Sequence, residues 1–432
     1  MSMVAVSPFA RARSAFAYWQ STSPWMRTVD IFAILTVGSL PWSTSLPAIF
    51  TMLWVISLVP MVIRDSETFS RLMKEPACFL PLLFVALAVA GLFWSEADWN
   101  ERLYALKPFG KFLMIPLIIY HFARSERGAW IFVTFLLSCT LLMLLSFLVA
   151  YDPSFAINTN DSPGGYGVPL KNYIDQSHEF ALCAVALAWP VLQLYRQKRY
   201  RLASLLIAIA AAFLFNMFFI TVSRTALVTL PVMFAVFALF SLRWRGILTA
   251  VASLVLVLAV AWAVSPKVQA KLASIGAEYH RYQTSSDVTS GGLRLEFWRK
   301  SVLFISENPF FGHGTGAVLG LFEQAAEHQA GVAAEVIANP HNQTLHVGIQ
   351  WGALGITILY WMWLTHLALF RNPPPAQRLA AWVGQLVVVQ NIASSIFNSH
   401  LFDFHAGWMY VLGVGVAGGM IIGMQRDHAG TK

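Results

Sequence analysis

Long apolar runs separated by short charged segments fill this chain from about residue 28 to about residue 424. Twelve of them approach or reach the length that carries a helix across a bilayer, at roughly 28–43, 45–63, 77–95, 107–123, 128–150, 177–195, 202–221, 225–242, 246–264, 346–370, 378–398 and 405–424. The first is short and Pro41 interrupts it. The pattern predicts an all-α polytopic membrane protein. Two polar stretches are too long to be connectors. One runs from about Tyr151 to Gln176 and contains Pro163-Gly164-Gly165-Tyr166-Gly167. The other, from about Ser265 to Leu345, reads as a small helical domain. It predicts a helix near Lys267–Tyr282, a flexible turn at Thr289-Ser290-Gly291-Gly292 and a helix from Leu293 to about Ser306. A glycine turn at Phe311–Gly316 and a helix near Val318–Gln329 follow.

Composition sharpens this picture. Hydrophobic residues make up 57% and charged residues 12%, against about 25% charged in a soluble domain. A net charge of +8 would point to nucleic acid in a soluble protein; here it is explained by basic residues flanking spans, and no nucleic-acid partner is expected. With the N-terminus in the cytoplasm, about 18 of the 29 Lys and Arg residues fall on cytoplasmic segments, including Arg196, Lys198, Arg199 and Arg201 in one loop. Twelve spans then put both termini inside and both long loops outside. The chain divides into a cytoplasmic segment 1–27, helices one to nine over 28–264, an outer loop 265–345, helices ten to twelve over 346–424 and a cytoplasmic tail 425–432. Residues 1–27 carry Arg11, Arg13 and Arg27 but no apolar core with a cleavage site, so no cleaved signal peptide is expected. Cys78, Cys139 and Cys183 lie in apolar runs and read as small buried hydrophobes.

The candidate chemistry gathers at the outer face. Asn339-Pro340-His341-Asn342 closes the long loop and opens an apolar helix. Asn339 suits the cap and Pro340 the first helical position, which predicts His341 in the first turn. The positive end of a helix disfavours an imidazolium, so His341 is expected neutral and available as a base. An interfacial histidine with only a structural role is the alternative. Arg224, in Ser223-Arg224-Thr225, sits between two spans with almost no loop and no acid beside it in sequence. It reads either as a snorkelling anchor or as an anion ligand. Arg294 and Trp298 share one face of a predicted helix, which is either an interfacial amphipathic helix or a guanidinium fork for phosphate. Lys171 and Gln176 stand just before a span on the same side. Asn342, His313 and Asp403 are possible supporting residues; Asp403 fits equally a plain interfacial turn. No HExxH, cysteine pair or Asp-x-Asp at an outer span end suggests a metal site, and no cofactor is expected. Charge on an anionic substrate must then be met by Arg and Lys.

Together Ser223-Arg224-Thr225-Ala226, Arg294 with Trp298, Asn308-Pro309-Phe310-Phe311-Gly312-His313-Gly314 and Pro340-His341-Asn342-Gln343-Thr344-Leu345 resemble the O-antigen ligase family, WaaL-like members of the O-antigen ligase/polymerase superfamily. The similarity covers roughly residues 165 to 400. It implies a GT-C-like membrane glycosyltransferase with a catalytic periplasmic loop between helices nine and ten, in the bacterial inner membrane. The donor it implies is a glycan on undecaprenyl pyrophosphate; the acceptor is a sugar hydroxyl of the lipid A core. It also implies inverting transfer without metal, with His341 as base and Arg224, Arg294 and Lys171 on the pyrophosphate. An O-antigen polymerase or a protein O-glycosyltransferase of the same superfamily is the nearest alternative. A lipid-linked glycan transporter is the alternative outside enzymes.

Overall fold

The computed structural model describes residues 23–157, 166–170, 172–284 and 289–430. Among them the chain is helical throughout, with turns and no strand. The first five helices are α1 (Pro24–Ser39), α2 (Ser45–Arg64), α3 (Ser66–Met73), α4 (Pro76–Ala90) and α5 (Trp99–Leu106). A 3₁₀ turn, Lys107–Leu113, leads into α6 (Met114–Phe122). Next come α7 (Gly128–Tyr151), α8 (Tyr173–Ala186), α9 (Ala188–Arg196) and α10 (Tyr200–Phe215), the last ending in a π turn, Asn216–Ile220. Then follow α11 (Arg224–Ser241), α12 (Trp244–Val264), α13 (Pro266–Thr284), α14 (Ser290–Glu307), α15 (Ala317–Ala326), α16 (Gln343–Leu369), α17 (Arg378–Ser394) and α18 (Phe404–Gly430).

A helix lies under each of the twelve apolar runs, but fewer qualify as spans. Nine helical stretches among the described residues are long and apolar enough to cross a membrane. A tenth is added if α3 and α4, bent by 76° at their junction, count as one. The expected twelve included α1 and α17, whose 16 and 17 residues are shorter than the roughly 20 of a typical crossing. Burial separates centre from rim: 72% of the α18 span is buried, against 11% of α12. α6, α17 and α16 surround this core, through α18 and α4. The three cysteines are buried.

The feature that positions the loop is a break inside α16. Gly352 has φ 57° and ψ −149°, a region open essentially only to glycine. The break frees backbone groups that must find partners. Ile349 and Gln350 carbonyls accept from the His313 and Gly314 amides at 2.9 and 2.8 Å, and Ala353 and Leu354 amides donate to Pro309 and Phe310 carbonyls at 2.7 and 3.2 Å. The glycine turn thus docks on the break. Thr315 adds a second clasp: its hydroxyl donates to the Ala88 carbonyl at 2.6 Å and accepts from the Trp351 indole at 3.0 Å. Gly314 is needed because a Cβ there would lie 2.5 Å from Ser95 Cα.

Three local expectations are corrected. α16 starts at Gln343, three residues later than a cap at Asn339 would place it. Asn342 is the cap, accepting from the Leu345 amide at 3.1 Å. His341 therefore precedes the helix, with φ 53°. The turn expected at Thr289–Gly292 is instead the first turn of α14, because the Thr289 hydroxyl caps it from 3.1 Å on the Gly292 amide. Gln176 is not in a loop: Asn172 caps α8 and Gln176 is buried in its first turn.

Candidate active site

His341 is held outside α16 by an amide cage. Its backbone N–H donates to Asn339 Oδ1 at 2.9 Å, an Asx turn that supports the positive φ. Its ring Nδ1 lies 2.9 Å from Asn398 Oδ1. The neighbouring contacts fix which way that amide points. Asp403 can only accept, and Asn398 Nδ2 donates to its Oδ2 at 2.7 Å. Asn398 must then present its oxygen to Asn339 Nδ2, at 3.0 Å, and to His341. His341 Nδ1 therefore carries the proton, and Nε2 keeps its lone pair. Nε2 has no hydrogen-bond partner among the described residues. Asp403 is fixed in turn: His400 Nδ1 sits 3.0 Å from the same oxygen, and Lys111 Nζ donates to the Phe402 and Asp403 carbonyls at 3.0 and 2.5 Å.

The His341 pKa is lowered, first by burial; the Asn398 bond opposes this, and the charge of Arg294 adds to it. Burial thus disfavours the imidazolium. The expected helix N-terminus is not the setting, since the ring stands before the helix.

α14 forms the wall beside the ring. Phe297 and His341 have ring centroids 6.3 Å apart. One turn earlier, Arg294 is within electrostatic reach of His341, Arg224, Tyr173 and Glu278. Burial and then the charge of Arg224 push its pKa down. Among the described residues Arg294 forms no hydrogen bond or ion pair. Trp298, on the same face, has a buried indole N–H without a partner among these residues.

Arg224 does have an acid beside it in space. It donates through both Nη atoms to Glu278 on α13, to Ser274 Oγ at 2.6 Å and to Ser290 Oγ at 3.3 Å. Glu278 lies 54 residues away in sequence, which hides the pair from local reading. The pairing holds the Glu278 carboxyl below the usual carboxylate range.

The remaining candidates divide. Asp403 reaches the site through Asn398. Asn342 caps α16, and its amide donates to the Ile396 carbonyl at 3.2 Å. His313 has both ring nitrogens committed, Nε2 to the Phe304 carbonyl at 2.8 Å and Nδ1 to Asn308 at 3.2 Å. Gln176 donates to Ser146 Oγ at 2.9 Å and to the Gly167 carbonyl at 3.2 Å, in a buried network with Asn216 that steadies the turn before Arg224. Lys171 lies outside the described residues. Among those described, no three His, Cys, Asp or Glu side chains gather where they could hold a metal ion. An apolar cavity of about 170 Å³, lined by residues such as Leu40, Leu136, Cys183, Val383 and Met409, involves none of the candidate residues.

Arg294 on α14 links the candidates: it lies within electrostatic reach of His341, just before α16, and of Arg224 at the start of α11. The family described as O-antigen ligase matches residues 209–360. That segment is similar to the O-antigen ligase family. It contains Arg224, Glu278, Arg294 and His341. Asn398 and Asp403 lie beyond it. The family implies a glycosyltransferase-like membrane enzyme acting on lipid-linked glycans. No curated protein matches the chain.

Proposed function

We propose that this protein is an O-antigen ligase. It transfers a glycan from undecaprenyl pyrophosphate to a sugar hydroxyl of the lipid A core, at the periplasmic face of the inner membrane. His341 Nε2 takes the proton of the acceptor hydroxyl as that oxygen attacks the anomeric carbon. The bond from that carbon to the carrier's diphosphate oxygen breaks on the opposite face, and its electron pair leaves with the diphosphate, giving inversion. Arg294 and Arg224 meet the charge that grows on the leaving group. The reading is carried by one observation: Asn398, oriented by Asp403, makes His341 a proton donor at Nδ1 and leaves Nε2 open beside Arg294. A proton acceptor within electrostatic reach of a guanidinium group suits general-base transfer onto an anionic leaving group.

The test is lipopolysaccharide gel analysis of a ligase-null strain carrying this chain. A restored ladder supports the ligase. His341→Ala, inserted and expressed at the level of the parent, should lose it. A ladder that returns only in a polymerase-null strain selects the polymerase instead. An active His341→Ala protein removes the base assignment.

A further inference from the structure

The Glu278 carboxylate sits where an anionic substrate group would be bound. Two Nη donors of Arg224 point at it. The Gly291 backbone amide donates to it at 2.7 Å and Ser290 Oγ at 3.1 Å. Arg294 adds a second positive charge within reach. A guanidinium fork, a hydroxyl and a first-turn amide of an 18-residue helix are together the donor set that holds a phosphate. Arg224 and Glu278 expose only 22% and 13% of their side chains, so the pair is poorly screened and does not exchange freely with solvent ions. Arg224 Nε is buried and has no hydrogen-bond partner among the described residues, so the carboxylate does not use all of the fork's donors.

We infer that Glu278 is an internal competitor for the donor's diphosphate, occupying Arg224 in the resting protein and surrendering it when the donor binds. This rests on the reading of Arg224 as a diphosphate ligand. A carboxylate carries one negative charge; a diphosphate carries two or more and can engage Arg224 and Arg294 together. The exchange therefore favours a diphosphate and rejects anions of lower charge. Glu278 is in this sense a specificity-determining residue that never touches the reacting atoms. It keeps a strongly basic pocket at the membrane surface from filling with monovalent anions.

The test measures binding of inorganic pyrophosphate and inorganic phosphate to the full-length protein in detergent, for the parent, Glu278→Gln and Arg224→Ala. Glu278→Gln keeps a hydrogen-bonding side chain of the same size but removes the charge. The expected result is pyrophosphate binding that Arg224→Ala removes and that Glu278→Gln tightens about tenfold, with inorganic phosphate gaining more, so that the preference for the diphosphate shrinks. Binding seen only in Glu278→Gln also supports the competitor. If the parent binds in an Arg224-dependent way and Glu278→Gln binds no better, Glu278 merely positions Arg224; the competitor is overturned and the diphosphate reading stands. Binding that is absent from both proteins, or indifferent to Arg224→Ala, overturns both. Should Glu278→Gln not give monodisperse protein, Glu278→Asp, one methylene too short for the fork, carries the same test with a smaller gain.

Discussion

Asp403→Asn tests the least obvious part of the proposed mechanism, because Asp403 reaches His341 only through the Asn398 amide. The carboxylate of Asp403 accepts from Asn398 Nδ2 at 2.7 Å and thereby turns Asn398 Oδ1 toward His341. Replace it with an amide, and residue 403 can present either an oxygen or an NH₂ group. Asn398 is then free to flip. In the flipped state its NH₂ faces His341 Nδ1, which must become the acceptor, and the ring proton moves to Nε2. A histidine protonated at Nε2 cannot take the acceptor's proton.

The loss follows from the bond that is removed. A hydrogen bond to a charged group contributes about 1.5–3 kcal/mol, and a third of the Asp403 side chain is exposed, which places this one near the low end. A bias of about 1–2 kcal/mol is a factor of about 5–30 in the ratio of the competent to the flipped tautomer. Its loss leaves the two states about equal, so single-turnover transfer from a lipid-linked donor to rough lipopolysaccharide should slow about twofold, with donor binding unchanged. Asn398→Ala, which removes the orienting acceptor altogether, should slow it at least as much. Asn398→Asp gives a different signature: a carboxylate 2.9 Å from Nδ1 stabilises the imidazolium, so the acidic limb of the pH–rate profile should move up. A single-turnover rate in Asp403→Asn equal to the parent's would refute the tautomer argument.

Other outcomes follow from the same geometry. The lowered His341 pKa predicts that kcat/KM for the acceptor is lost only as pH falls below the ordinary histidine value of about 6.5, because the neutral ring is the active form; a profile already falling between pH 8 and 7 would contradict it. Arg294→Lys keeps the charge but loses the planar fork, and should lower transfer about 10–100-fold in single-turnover assays. Gly352→Ala should destabilise the protein by about 3 kcal/mol or more, since its backbone strain is joined by a Cβ contact at 2.5 Å from the Phe310 carbonyl carbon. Gly320→Ala, inside α15 with no atom within 4 Å of the new methyl, should be neutral or stabilising by up to about 1 kcal/mol. Thermal unfolding in detergent reads both.

Much of the fold was legible because hydropathy is a local property: the apolar runs locate the helices of the bundle to within a few residues. What stayed hidden depends on partners distant in sequence. Asn339-Pro340 reads as the helix start, but the cap is Asn342, and the His341 ring is held outside the helix by Asn398, 57 residues downstream. Arg224 reads as isolated because Glu278 arrives on a different helix. Gly348, Gly352 and Gly355 are equivalent in sequence; only the docking of Pro309 and Phe310 makes the middle one the break. Lys111 left one visible signal, a lysine within an apolar run, but not its target, the carbonyls of the Asp403 turn.

The break in α16 also explains how residues so far apart in sequence keep their spacing. The segment that ends α14 is the same segment that pairs with both sides of Gly352. Arg294 and Phe297 on α14 are thereby tied through backbone hydrogen bonds to the half-helix, residues 343–351, that follows His341. Their distance to the imidazole is set by main-chain pairing rather than by the side chains proposed to do the chemistry. Substitutions in the two groups should therefore separate. His341→Ala and Arg294→Ala remove activity while leaving thermal unfolding close to the parent's. Thr315→Ala, which breaks the clasp to Ala88 and Trp351, lowers stability and activity together. If Thr315→Ala lost stability yet kept the parental rate, the clamp would be holding the fold alone, and the register of base and guanidinium would need another origin.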